Sequence, residues 1–172
     1  MSASAQEIES VHGIPLPLEL ARAQRTRIVD YEPDHPGMGI SASYVNGYYK
    51  IALYVYDLGL TDIPDNPMSA VVTDHFRQAI SEALTVAHSR GEKLQCKGAH
   101  GAPYPPGVDV AFLVAKLGRE NDNDRFTSFI FLTTKNRRFV KLRVSFVQSS
   151  LTAESLASTI VTEYFSLLWP NS

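Results

Sequence analysis

The sequence predicts an α+β fold: one twisted, mainly antiparallel sheet of about seven strands, with a long helix after the third strand and a second helix at the C-terminus. Three patterns carry this reading. Residues 126–132 and 139–147 form a hairpin around the polar turn Thr134-Lys135-Asn136-Arg137-Arg138. Its second arm alternates, with Val140, Leu142, Val144 and Phe146 pointing one way and Lys141, Arg143 and Ser145 the other. Its first arm is apolar on both faces (Phe129, Ile130, Phe131, Leu132), as expected of a central strand covered on both sides. The third pattern is helical: Met68, Val71, Val72, Phe76, Ala79, Ile80, Ala83 and Leu84 recur at helical spacing.

The elements follow in order. Residues 1–13 are polar and read as a flexible leader, leaving 14–172 as one α+β domain. Ile14-Pro15-Leu16-Pro17-Leu18 is no helix start, because each proline holds its predecessor extended, and it reads as an apolar strap laid on the sheet. Residues 25–32 form a first strand, and Pro33-Asp34-His35-Pro36-Gly37 turns the chain. Gly37 and Gly39 permit positive φ there. Residues 40–45 and 48–57 form a hairpin around Asn46-Gly47. In its second arm Ile51, Leu53 and Val55 share one face, and Tyr54 and Tyr56 the other.

The long helix is expected to take Asn66 as N-cap and Pro67 as its first residue, and to end at Gly91. Residues 93–97 read as a short strand, and 98–107 as a glycine- and proline-rich loop. Residues 108–117 form another strand, and a polar turn at 118–125 leads into the closing hairpin. Thr152 caps the last helix, Leu151 and Leu156 sit at its staple positions, and Leu156, Ile160, Tyr164 and Leu168 make its apolar stripe up to Trp169-Pro170.

Composition bounds the function. With 172 residues the chain can bury roughly 70% of the surface it exposes unfolded. A net charge of −2 argues against general nucleic-acid binding. No run approaches the roughly 20 apolar residues of a membrane span. Cys96 is the only cysteine, which excludes an internal disulfide and a cysteine-rich zinc site. Ala3-Ser4-Ala5 before Gln6-Glu7 is patterned like the small-residue end of a signal-peptidase site, which predicts a periplasmic or secreted protein. The alternative is a cytoplasmic protein with a polar leader.

The order of elements resembles the PsbP-like fold of photosystem accessory proteins and the small bacterial lipoprotein DcrB. Asp30-Tyr31-Glu32, Pro36-Gly37-Met38-Gly39-Ile40-Ser41, Tyr54-Val55-Tyr56-Asp57-Leu58-Gly59 and Arg138-Phe139-Val140-Lys141-Leu142-Arg143 are similar to segments of an uncharacterised family of small, often exported bacterial proteins. The resemblance implies an accessory, assembly or binding role and transfers no catalytic residue.

The residues themselves offer few sites. His12, His35, His75, His88 and His100 show no metal-ligand spacing, so no metal and no cofactor is expected. The acidic turn at 120–124 lacks the central glycine and distal glutamate of a calcium loop. No nucleophile elbow, phosphate loop or dinucleotide fingerprint is present. Cys96 with His100 four residues on is the one nucleophile-and-base pairing, and a buried or half-buried structural thiol is the simpler account. Lys135, Arg137, Arg138, Lys141 and Arg143 form a basic set that reads either as a site for phosphate or an acidic partner or as a solvated sheet edge. Tyr54 and Tyr56 share a strand face, with Tyr31, Tyr44 and Tyr48 on elements expected nearby.

These observations favour a non-catalytic binding or accessory protein of the bacterial cell envelope. It would engage another protein or a small ligand through Tyr31, Tyr54, Tyr56, His100, Lys141 and Arg143. The alternatives are a small hydrolase with a loop-built Asp/His/Tyr site and a cytoplasmic secretion chaperone or adaptor.

Overall fold

The computed structural model describes residues 9–119, 126–146 and 152–170. Residues 1–8 of the expected 1–13 leader, the acidic turn at 120–124, Val147 and the staple residue Leu151 lie outside the described residues. The chain opens with a small ladder of β1 (Ser10–Val11) and β2 (Ile14–Pro15). β3 (Glu19–Leu20), β4 (Ala23–Asp30), β5 (Ile40–Val45) and β6 (Tyr49–Tyr56) then form an antiparallel meander. Helix α1 (Ala70–Ser89) carries the chain to β7 (Leu94–Ala102) at the far edge. From there β8 (Phe112–Arg119), β9 (Thr127–Lys135) and β10 (Arg138–Phe146) meander back until β10 closes on β6. Helix α2 (Ala153–Leu168) ends the fold.

The result is an eight-stranded antiparallel sheet in the order β3-β4-β5-β6-β10-β9-β8-β7, so the closing hairpin does lie in its middle. The expected count of seven omits β3. The expected strap ends in that strand, which is joined to β4 by Ala21 and Arg22 at φ 48° and 63°. The rest of the strap behaves as its prolines require. Proline donates no hydrogen bond to a ladder, so side chains supplement the few backbone bonds of the strap, such as those from Leu16 N–H to the Glu9 carbonyl and from Arg25 N–H to that of Leu18. Tyr164 Oη donates to the Pro15 carbonyl at 3.1 Å and Tyr44 Oη to that of Pro17 at 2.7 Å. Tyr49 Oη donates to the Ala21 carbonyl. Ile14, Leu16 and Leu20 are buried in the core they share with α2.

The sheet has two differently covered faces. On the α2 face Ile51, Leu53, Val140, Leu142 and Val144 meet Ile160, Val161, Tyr164 and Phe165. On the other face Leu113, Ala115, Ile130, Leu132 and Phe139 meet Val72, Phe76, Ala83 and Ala87 of α1. β9 therefore sends Phe129 and Phe131 to one core and Ile130 and Leu132 to the other, as its doubly apolar pattern predicts. Because α1 must reach the distant edge strand, it packs on β7, β8 and β9. Through His75 it also reaches Tyr56 on β6 and Phe139 on β10, while Tyr54, Lys141 and Arg143 on the same two strands stay partly exposed.

Several expectations need correction. α1 begins at Ala70 with Ser69 at the N-cap, not at Pro67. Asn66 spends its side-chain oxygen on a preceding turn, accepting the Met68 N–H at 3.0 Å. The late start leaves Met68 outside the helix and Val71 toward solvent, while His75 joins the buried stripe. The end of α1 is as expected: Gly91, at φ 77°, donates to the His88 carbonyl and Glu92 to that of Ala87, a Schellman closure.

The chain at 98–102 is strand rather than loop. β7 is an edge strand, where glycines cost little, and a register shift between Cys96 and Gly98 absorbs the irregularity. Cys96 is exposed there, not a buried thiol.

Candidate functional site

The half-face of β5, β6 and β10 beside α1 is built row by row. Pairing aligns Ser41, Tyr54, Lys141 and Leu132 across β5, β6, β10 and β9, and the next row aligns Ser43, Ala52, Arg143 and Ile130. Along each row the chemistry changes where α1 stops: apolar on β9, cationic on β10, then tyrosine or alanine, then serine. Lys141 and Arg143 are half-buried on a central strand, so they are not the solvated edge that their sequence pattern allows.

Lys141 lies over aromatic faces, its Nζ 4.7 Å from the Tyr54 ring centre and 5.4 Å from that of Tyr56. Such contacts replace part of the lost hydration of an ammonium. Burial, with the neighbouring Arg143 charge, lowers the Lys141 pKa below that of an ordinary lysine, while Glu82 of α1 opposes the shift. Arg143 Nε donates to Ser128 Oγ at 3.1 Å, and Ser128 Oγ lies 3.0 Å from Ser145 Oγ. Among the described residues neither cation makes an ion pair. Burial raises the Tyr54 pKa, so its hydroxyl stays a neutral donor. Ser41 Oγ donates to Tyr31 Oη at 3.3 Å, which ties Tyr31 to the margin of this face.

Tyr56 is different. It is 6% exposed and forms part of the α1-side core, with its hydroxyl 2.5 Å from His75 Nε2. Phe139 packs on both rings, 5.5 Å from Tyr56 and 4.3 Å from His75 between ring centres. The buried Nδ1 of His75 has no hydrogen-bond partner among the described residues. Burial first, and the Lys141 charge second, lower the His75 pKa, so the ring is neutral. Tyr56 thus supports the lysine from below rather than meeting a partner.

The structure therefore brings together Tyr31, Tyr54, Tyr56, Lys141 and Arg143, and separates His100 from them. Cys96 and His100 would share a face in a regular strand, but the register shift between Cys96 and Gly98 prevents this. Cys96 pairs with Leu117, of the α1-side core, and His100 with Val114, of the α2-side core. They do not form a nucleophile and base. Tyr44 also points to the α2 side, fully buried, and Tyr48 projects from a turn at 76% exposure. Lys135 donates to the Leu168 carbonyl at the end of α2, away from the cationic face.

His75 is the buried polar residue beneath this face that the sequence pattern does not single out. Its signal is its spacing, since it falls beside Val72 and Phe76 and four residues before Ala79 on the buried side of α1. Among the described residues, no three His, Cys, Asp or Glu side chains gather as a metal site. No helix among them is long and apolar enough to cross a membrane. The half-face is a set of hydrogen-bond donors and positive charges on a rigid sheet, suited to an anionic acceptor. Searches against family models, curated proteins and solved structures give no match to this chain.

Proposed function

We propose that the protein is a non-catalytic binding protein, of the accessory kind expected from its sequence, and that the half-face of Tyr54, Lys141 and Arg143 receives an acidic segment of a partner protein. One observation carries the reading: two half-buried cations stand side by side on a central strand with no carboxylate paired to them among the described residues. Burying a charge is costly unless it is compensated. Tyrosine rings compensate only part of that cost, and an incoming carboxylate supplies the rest. Tyrosine and arginine beside each other are also the residue types that concentrate binding energy at protein interfaces.

The test is fluorescence anisotropy with a labelled glutamate-rich peptide that carries tyrosine, against its lysine-rich counterpart. Wild-type protein is expected to bind the acidic peptide alone, and Arg143→Met to weaken it by roughly tenfold, worth about 1.4 kcal/mol. Lys135→Met, at the end of β9 and bonded to the last turn of α2, should leave binding unchanged. Equal affinity for both peptides, or an unaffected Arg143→Met, overturns the proposal.

A further inference from the structure

On the opposite side of the sheet, the N-terminal half of α2 and strands β7–β9 enclose a cleft of about 360 Å³. Its floor is aromatic, formed by Phe112, Phe129 and Phe131. Its walls are small where space is needed: Gly98 and Ala102 on β7, Ala157 and Ser158 on α2. The mouth is polar, with Lys116 and His100 beside the carboxylate of Glu154 among the described lining residues.

Lys116 Nζ and Glu154 are joined at 2.6 Å, yet the two ends of this pair differ. The lysine side chain is 29% exposed and anchored at the cleft, whereas the glutamate is 70% exposed on the first turn of α2. An exposed ion pair of this kind contributes little to stability, so Glu154 is readily displaced toward water by another carboxylate. The cleft is thus apolar at its base, with a replaceable anion at its mouth.

We propose that this cleft is a second binding site, independent of the cationic half-face, for a small amphiphilic monocarboxylate. The apolar body of the ligand would lie on the phenylalanine floor, and its carboxylate would take the place of Glu154 at Lys116, with His100 beside it. The ligand is bound and released without covalent chemistry.

The test is titration of the whole chain with octanoate, with octylammonium as the cation of similar size, followed residue by residue in ¹H–¹⁵N spectra. Octanoate should give saturable shifts at Gly98, Ala102 and Ser158, and octylammonium none there. Ser158→Trp fills the cleft from an exposed helix position and should weaken octanoate by at least roughly tenfold. Ser158→Glu places a repelling charge at the same position and serves as the second variant if the tryptophan perturbs the fold; it should weaken octanoate to a similar extent. Lys116→Gln should also weaken octanoate, by about fivefold or more. Equal binding of both amphiphiles, or shifts confined to Lys141 and Arg143, overturns the proposal. So does unaltered affinity in a folded Ser158 variant.

Discussion

At Gly39 the backbone runs against the neighbouring strand. A Cβ built there would lie 1.8 Å from the Val55 carbonyl oxygen, and φ is already 66°. The Glu32 carboxylate holds the turn by accepting the N–H groups of Gly37 and Gly39, the latter at 2.7 Å. A side chain at 39 meets both the clash and the left-handed backbone penalty, which alone is about 1–2 kcal/mol. Gly39→Ala should therefore cost at least about 2 kcal/mol in urea unfolding. A second residue-scale prediction concerns His75. Its pKa is lowered on folding, so the unfolded chain takes up the proton first as pH falls. Its contribution is complete above about pH 6.5 and is lost as pH falls through the folded value. Stability should decline below about pH 6.5 with a slope of at most about 1.4 kcal/mol per pH unit from this group. His75→Phe should remove that part of the slope. Urea midpoints across this range check it, and an unchanged slope in the variant would assign the decline to other groups.

At the scale of elements, the strap is where sequence and structure connect most directly. Its prolines limit its ladder to the short β1–β2 pairing, and Tyr164 and Tyr44 anchor the carbonyls of Pro15 and Pro17. Truncation at residue 20 strips Ile14 and Leu16 from the α2-side core, and should lower the melting temperature clearly. A truncated chain that melts with the full one would show that the strap adds nothing. The long strands were legible because residues such as Leu142 and Lys141 alternate with period two, and α2 because Ile160, Tyr164 and Leu168 repeat with period near four. Gly98–Ala102 was not legible, because an edge strand with a register shift need not satisfy strand propensity. The start of α1 was misplaced because Asn66-Pro67 fits a helix N-terminus and a preceding turn equally well. Neither sequence signal records which of the two the tertiary packing selects.

For the whole molecule, the decisive feature is that a single helix must cross from a central strand to the far edge. That route covers β7–β9 and the Tyr56–Phe139 end of β6 and β10, and leaves Tyr54, Lys141 and Arg143 only partly covered, so one face carries both a second core and a cationic patch. Tyr54, Lys141 and Arg143 were identifiable from alternation alone. Their gathering with Ser41 and above His75 depends on β10 pairing with β6, a contact between segments more than 80 residues apart that no local pattern encodes. On the proposed reading, the Lys141 charge is maintained for binding rather than for folding. Equilibrium urea unfolding of Lys141→Met tests it directly, because methionine keeps the contact with the Tyr54 and Tyr56 rings while removing the buried charge. The variant should be as stable as wild type to within about 1 kcal/mol, or more stable. A loss comparable to the roughly 2–5 kcal/mol expected for Leu142→Ala, one residue along and fully buried, would make the lysine a structural residue and contradict the account.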